Sequence, residues 1–336
     1  MDPDSVAGAD RVPHGSSDDP DIVDLSANVN PETPDGTRAV YEAAFEAARS
    51  YPDDGYPAFR EAAAHSVDCA PGRVVPTAGG LDAIRLAVGT TVAPGDSVLV
   101  PAPTFGEYAR EAELAGGDPA VVPHDDLLEA DPAPHAMAVV CTPNNPTGDC
   151  PDHDALLAFA DRCADADTVL LVDEAFLGFT DRPSLAGRDG CVVVRSLTKL
   201  FGLPGLRAGF AVGAGDPLDR LRTARRTWSL GRPAAAVGAH AMRQDAFIAA
   251  TRRRVERDRA YLRAGLEARG FAVEPSEAPF VLCDVGADPG DLLAHCREQG
   301  VVLRDATTFR GLDRHVRIAV RNREATDTLF DALEDR

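Results

Sequence analysis

The chain has 336 residues, of which 34 are basic and 54 acidic, for a net charge of −20. Such a surface repels nucleic acid and anionic membranes, so neither is expected as a partner. With 44% hydrophobic residues it can bury one large core or two modest ones.

The acids are spread along the chain, and all but one of the basic residues are arginine. A GC-rich genome alone would explain arginine in place of lysine, but the composition also reads as adaptation to high salt. It predicts loss of fold or activity as salt is lowered, and indifference to salt would refute it. The seven cysteines form no CxxC pair and several sit in apolar runs, so neither a disulfide framework nor a metal site is expected. The start, Met1-Asp2-Pro3-Asp4, is acidic and unlike a signal peptide. No apolar run matches a bilayer span, and the expected location is cytoplasmic.

Residues 1–21 are rich in Asp, Pro, Gly and Ser and read as an extended, mostly mobile arm. A short extended piece, Leu25-Ser26-Ala27-Asn28-Val29-Asn30-Pro31, follows. Helical spacing predicts helices over 37–49 and 56–66, with Tyr51 on the loop between them. From residue 73 strand and helix alternate. Strands are expected at Val74–Pro76, Ser97–Val100, Ala120–Val122, Met137–Cys141, Val169–Val172, Cys191–Val194 and Ala208–Val212. Helices are expected near 80–92, from the opening Pro103–Tyr108 segment to about 115, and near 152–164 and 216–226. Continuous apolar strands between helices indicate a buried, mostly parallel sheet. After 233 the texture changes to one long Arg-rich helix reaching 269, then strands Phe271–Val273, Phe280–Cys283, Val301–Leu303 and Val316–Ala319, with helices over 289–299 and 323–334. The expected organisation is an arm (1–21), a large domain (22–232, of which 22–50 belongs partly to the small one) and a small α+β domain (233–336).

Lys199 is the only lysine. Arginine matches lysine at most surface tasks but stays protonated and is no practical nucleophile. A desolvated lysine can lose its proton and condense with an aldehyde. Lys199 lies in the Ser/Thr/Gly-rich turn Ser196-Leu197-Thr198-Lys199, directly after an apolar strand and eight residues before Arg207. Ligands in parallel sheets gather at the C-terminal strand ends, and the other candidates fall there too. Gly79-Gly80-Leu81 opens a helix and offers N–H donors to a phosphate. Ser196, Thr198 and Arg207 add two hydroxyls and a cation. Asp173 ends a strand, where a carboxylate can hold a ring nitrogen protonated. Asn144-Asn145-Pro146-Thr147-Gly148 follows another strand, with an amide in reach of a phenolate oxygen.

These parts together describe a pyridoxal phosphate site. Three runs, Asn144 to Gly148, Asp173-Glu174-Ala175-Phe176 and Ser196 to Arg207, stand in the order and spacing of a known family. Over nearly its whole length the chain resembles fold-type I pyridoxal-phosphate enzymes, an α/β fold with a mostly parallel sheet flanked by helices and a smaller α+β domain. It is most similar to the branch holding threonine-phosphate decarboxylases and histidinol-phosphate aminotransferases. The resemblance implies that Lys199 forms the covalent link to pyridoxal 5'-phosphate, Asp173 pairs with its ring nitrogen, Asn145 contacts its O3′ and Tyr108 stacks on its ring. It implies that Gly80, Leu81, Ser196, Thr198 and Arg207 hold its phosphate, with Tyr51 reaching in from the other subunit of a homodimer. Arg317, Arg304, Asn145 and His14 would bind a small phosphorylated amino-acid substrate.

Early His14-Gly15, the Leu25–Pro31 run, Pro103 to Tyr108 and Trp228-Ser229-Leu230 resemble the decarboxylases. Their usual His-Gly-Gly is interrupted here by Ser16. Aminotransferases of this group carry tyrosine where this chain has Phe176, a departure that argues against a standard transaminase. The favoured expectation is therefore decarboxylation of L-threonine O-3-phosphate in cobalamin synthesis, with histidinol-phosphate amino transfer as the alternative. The bond at the substrate carbon that stands perpendicular to the cofactor ring is the one that breaks. Residues that fix the substrate carboxylate thus decide between the two.

Overall fold

The computed structural model describes residues 1–8, 10–17 and 19–334. Among the described residues thirteen strands follow in chain order: β1 (Val23–Asp24), β2 (Val74–Thr77), β3 (Ser97–Ala102), β4 (Asp118–Pro123), β5 (Met137–Cys141), β6 (Val169–Asp173), β7 (Cys191–Ser196), β8 (Gly209–Val212), β9 (Ala272–Val273), β10 (Phe280–Asp284), β11 (Val301–Val302), β12 (Arg304–Asp305) and β13 (His315–Ala319). Seven form one sheet in the order β2-β8-β7-β6-β5-β3-β4. Within it β3 to β7 pair in parallel, while β8 runs antiparallel to both β2 and β7.

Both faces of this sheet are covered. Side chains alternate across a strand, and here both sets are apolar. Leu170, Val172, Cys191 and Val193 enter one core cluster, and Leu171, Val192 and Val194 enter the other. That is why β6 and β7 read as unbroken apolar runs. Polarity returns at their ends, in Asp173 and Ser196. The helix Gly80–Thr91 buries Gly80, Ala83, Ile84, Ala87 and Val88, a 3.6-residue stripe laid on the sheet.

A second sheet, in the order β12-β13-β10-β9, is antiparallel. The early strand β1 leaves its sequence neighbours and pairs in parallel with β11. Leu25 then accepts a 2.8 Å bond from the Ala319 amide. The segment 23–30 therefore runs from the second sheet towards the first.

Two expectations are corrected. The long helix expected over 233–269 is two, Arg232–Ala241 and Asp245–Ala268. The N–H groups of Arg243 and Gln244 bond three residues back, to His240 and Ala241, which tightens and ends the first helix. The two pieces bury different neighbours, so one straight rod does not serve both. The arm is also not wholly extended, and it makes contacts with the rest of the chain. Pro3–Gly8 is helical, the Asp2 amide donates to Leu114 O at 2.8 Å, and Arg110 Nε donates to Asp10 O at 2.8 Å. Ala9 and Asp18, which that expectation also covered, lie outside the described residues. Among the described residues no helix is long and apolar enough to cross a membrane.

Candidate active site

β6 and β7 are adjacent and parallel, so their ends bring Asp173 and Ser196 to one mouth. Tyr108 OH donates to Asp173 Oδ2 at 2.7 Å, and the Ala175 amide donates to Oδ1 at 2.9 Å. Burial raises the Asp173 carboxyl above its usual range, while the Tyr108 and Ala175 donors and the Lys199 charge pull it back. Tyr108 is itself fully buried, and burial beside Asp173 pushes its phenol well up, so it stays a donor. Tyr108→Phe removes a charge-assisted hydrogen bond worth about 1.5–3 kcal/mol. We expect ring-nitrogen pairing to weaken and cofactor dissociation, followed by equilibrium dialysis, to rise about 10-fold or more by the same principle. Unchanged affinity would refute the role.

Lys199 sits in the one-turn helix Leu197–Leu200, directly after β7. Asn30 secures this turn: its amide N–H donates to Lys199 O at 3.0 Å and its Nδ2 to Leu200 O at 2.7 Å. The Lys199 amine is lowered to about 8, first by burial, then by the charges of Arg317 and Arg207, with Asp173 opposing. A lowered lysine loses its proton at lower pH, so the neutral, nucleophilic form is available near neutrality. Reloading of stripped protein with an aldehyde cofactor should accelerate as pH rises and level off above about 8. A rate that keeps climbing towards the ordinary lysine value would contradict this environment.

One cavity of about 360 Å³ contains these groups. At one end Gly79 has φ 99° and precedes the helix Gly80–Thr91 without a side-chain cap. A Cβ at Gly79 would come within 2.7 Å of Arg207 Nη2, so glycine lets the guanidinium close on the helix start. Ser196 Oγ and Thr198 Oγ1 lie 2.8 Å apart beside it. Uncapped helix N–H groups, two hydroxyls and an arginine make a dianion cradle.

Beside the arm stand Arg317 and Arg304, paired across β12 and β13 and 6% and 8% exposed. Arg317 Nη1 donates to Asn145 Oδ1 and Nη2 to Ser26 O at 2.8 Å, while its Nε has no partner among the described residues. Burial and the neighbouring Arg304 lower Arg317 to about 9, which leaves it charged at neutral pH. Arg304 Nη2 donates to Pro13 O at 2.7 Å and to Thr308 Oγ1 at 2.8 Å. Among the described residues no carboxylate pairs with Arg207, Arg304 or Arg317, and Asp173 is the one acid among those lining the cavity. In a chain of net charge −20, three arginines left without acids mark a place for a bound anion.

The arm reaches this part of the wall. His14 Nε2 lies 3.0 Å from Glu107 Oε1, and its half-exposed ring tilts against Phe105. The structure thus brings His14, Gly80, Leu81, Tyr108, Asn145, Asp173, Ser196, Thr198, Lys199, Arg207, Arg304 and Arg317 to one cavity. Tyr51 is the exception: it is 71% exposed and stacks on Trp228, with ring centroids 4.1 Å apart. Sequence reasoning missed Asn28. It is buried on the cavity wall and its Oδ1 has no partner among the described residues. The signal was present in a polar residue between Ala27 and Val29 in an otherwise buried strap, but nothing in the spacing assigned it.

Residues 20–333 match the family described as "Aminotransferase class I and II". The chain is 34% identical to the histidinol-phosphate aminotransferase of Halobacterium salinarum, covering 98% of this chain and 94% of that one. It is 29% identical to the threonine-phosphate decarboxylase of Salmonella typhimurium, covering 94% and 91%. The fold superposes with a TM-score of 0.85 on the Sinorhizobium meliloti histidinol-phosphate aminotransferase solved with pyridoxal-5'-phosphate, at 20% identity and over 94% and 90% of the chains. The cofactor of this family fits the residues present: the cradle at Gly79 takes a phosphate, Lys199 is a low-pKa amine, and Asp173 is a buried carboxylate. Bound pyridoxal 5'-phosphate supplies an aldehyde that condenses with amines and a ring that takes up the electrons of a broken bond. With the match spanning almost the whole chain and the site assembled at the strand ends, the chain belongs to the class I and II aminotransferase family of pyridoxal-phosphate-dependent enzymes.

Proposed function

We propose that the substrate is a small phosphorylated amino compound, and that the reaction is decarboxylation of L-threonine O-3-phosphate. The observation that carries the substrate class is the pair Arg304 and Arg317, both buried on the cavity wall and both without an acid partner among the described residues. Two guanidiniums suit a molecule with two anionic groups, and His14 adds a third donor at the mouth. In this reading Lys199 binds the cofactor and moves protons at the substrate carbon. Asp173 keeps the ring nitrogen charged. Arg317 and Arg304 divide carboxylate and phosphate between them, and the arm excludes water.

Amino transfer from histidinol phosphate is the second reading, and the comparisons favour it: the aminotransferase relative is at 34% identity, the decarboxylase at 29%. The pocket favours decarboxylation on one point. Phe176 lines the cavity, packs edge-on against Phe280, and sets its ring centroid 6.0 Å from Lys199 Nζ. No hydroxyl stands at that position to bond the cofactor O3′. We further propose a homodimer, supported by the exposed aromatics Tyr41, Phe45, Tyr51 and Trp228, with Tyr51 entering the cradle of the second copy.

The test supplies cofactor-loaded protein with L-threonine O-3-phosphate, and separately with histidinol phosphate and 2-oxoglutarate. Release of CO2 in the first without glutamate in the second supports the proposal. Glutamate without CO2 establishes amino transfer instead. Neither product would set aside both substrates.

A further inference from the structure

The turn that carries Lys199 is a single helical turn, Leu197–Leu200, so its last carbonyls have no following turn to bond to. Asn30 donates to two of them, from its amide N–H to Lys199 O at 3.0 Å and from Nδ2 to Leu200 O at 2.7 Å. The main chain beside Asn30 lies hard against the same turn. A Cβ at Gly202, where φ is 64°, would come within 2.5 Å of Glu32 O and 2.6 Å of Asn30 O. The depth of Lys199 in its pocket thus depends on where the segment around Asn30 is held.

Arg254 holds it. This residue lies on the helix Asp245–Ala268, and its side chain is 13% exposed. It is not among the residues that line the cavity. Its two terminal nitrogens go to different elements: Nη2 donates to Asn30 Oδ1, and Nη1 donates to Arg321 O at 2.6 Å, just past β13. Glu32 and the buried Asp258 supply carboxylates for its charge, at 3.3 and 3.9 Å. Arginine has donors and no acceptor, so the Asn30 atom that meets it must be the oxygen. The amide is planar, and Nδ2 is thereby turned to Leu200 O. The Glu32 amide also donates to Asn30 Oδ1, at 3.1 Å, but it belongs to the same short segment. Arg254 is the donor that comes from another element, and its rigid fork ties that segment to the end of the strand carrying Arg317.

We propose that Arg254 is a positioning residue for Lys199, acting through Asn30: its fork fixes the Asn30 amide, and the amide holds the Lys199 turn at its buried depth. The role is indirect, since Arg254 touches neither the amine nor the space for the cofactor. The charged groups that act on the amine itself are Arg317, Arg207 and Asp173, the last bonded to the Tyr108 hydroxyl, and none of them is altered in the variants below. The inference rests on Lys199 linking the cofactor and stands whichever reaction the cavity performs.

The test is a pH titration of the visible absorbance of the cofactor-loaded protein, read beside its melting temperature. Burial disfavours the charged form of the nitrogen that links Lys199 to the cofactor, so a turn that loosens and admits water raises the midpoint. Arg254→Met should raise it by about 0.5 unit and Asn30→Asp by about 1 unit, a partial relief of burial. In Asn30→Asp the carboxylate still accepts from Arg254 but offers no N–H to Leu200 O. Arg254→Met combined with Asn30→Asp should shift the midpoint no further than Asn30→Asp alone, because both act through one contact. If Arg254→Met leaves Asp258 too poorly paired to fold, Arg254→Met with Asp258→Asn removes both charges and should show the same shift. Midpoints that stay put in these Arg254 variants, whatever their melting temperatures, would overturn the positioning role. Additive shifts would overturn its route through Asn30. Borohydride reduction of the wild type separates this inference from the reading beneath it. An adduct on Lys199 with unmoved midpoints overturns the role of Arg254 alone, whereas no adduct on Lys199 overturns both.

Discussion

Lys199→Ala will abolish the visible absorbance of the lysine-linked cofactor and reduce turnover by at least about 10⁴-fold, the scale set by losing both a covalent link and a general base. Lys199→Arg will not restore either, because a guanidinium keeps its proton. The chain makes this comparison clean. It holds no second lysine to substitute, the arginines that line the cavity stay protonated, and Met1 is not among the lining residues. The fold should survive the change: the amine makes no hydrogen bond with the described residues, and the turn is held through backbone carbonyls by Asn30. Retained absorbance in Lys199→Ala, measured beside an unchanged melting temperature, would show that another group carries the cofactor.

Arg317→Met will separate function from stability. Truncating a buried charged partner of a bound anion costs about 2–5 kcal/mol, so kcat/KM should fall about 10²–10³-fold for a carboxylate-bearing substrate. Most of that loss should appear in KM. In the free protein the opposite holds. Arg317 is a buried charge with no acid beside it, next to a second cation, Arg304. Replacing it with an apolar chain of similar length removes that repulsion and the desolvation of the charge. The melting temperature of the protein without substrate should hold or rise, although the bonds to Asn145 and Ser26 are lost. A lower kcat/KM that simply follows a collapsed melting temperature would mean that Arg317 is structural.

Much of this site was legible because buried parallel strands advertise themselves. The apolar runs at 169–172 and 191–194 end in Asp173 and Ser196, and a sheet of this kind collects such residues at one edge. Local periodicity placed the helices that flank them. It could not reveal that β8 runs antiparallel, since a strand reads alike in both directions. Nor could it find the break between the helices Arg232–Ala241 and Asp245–Ala268, because Met242, Arg243 and Gln244, which form it, are themselves good helix formers. The arm's contacts depend on Arg110 and Arg304, which lie far away in sequence. The same holds for Tyr108, whose hydroxyl meets Asp173 across 65 positions. Composition suggests that such groups exist, but only the packed chain shows which hydroxyl serves which carboxylate.

Lys199 is the expected covalent anchor of pyridoxal phosphate. Borohydride reduction of the cofactor-loaded protein, followed by intact mass and peptide mapping, tests it most directly. One cofactor adduct per chain is expected, confined to the peptide containing Lys199 and absent from Lys199→Ala. An unmodified chain, or an adduct on the Met1 α-amino group alone, would contradict it.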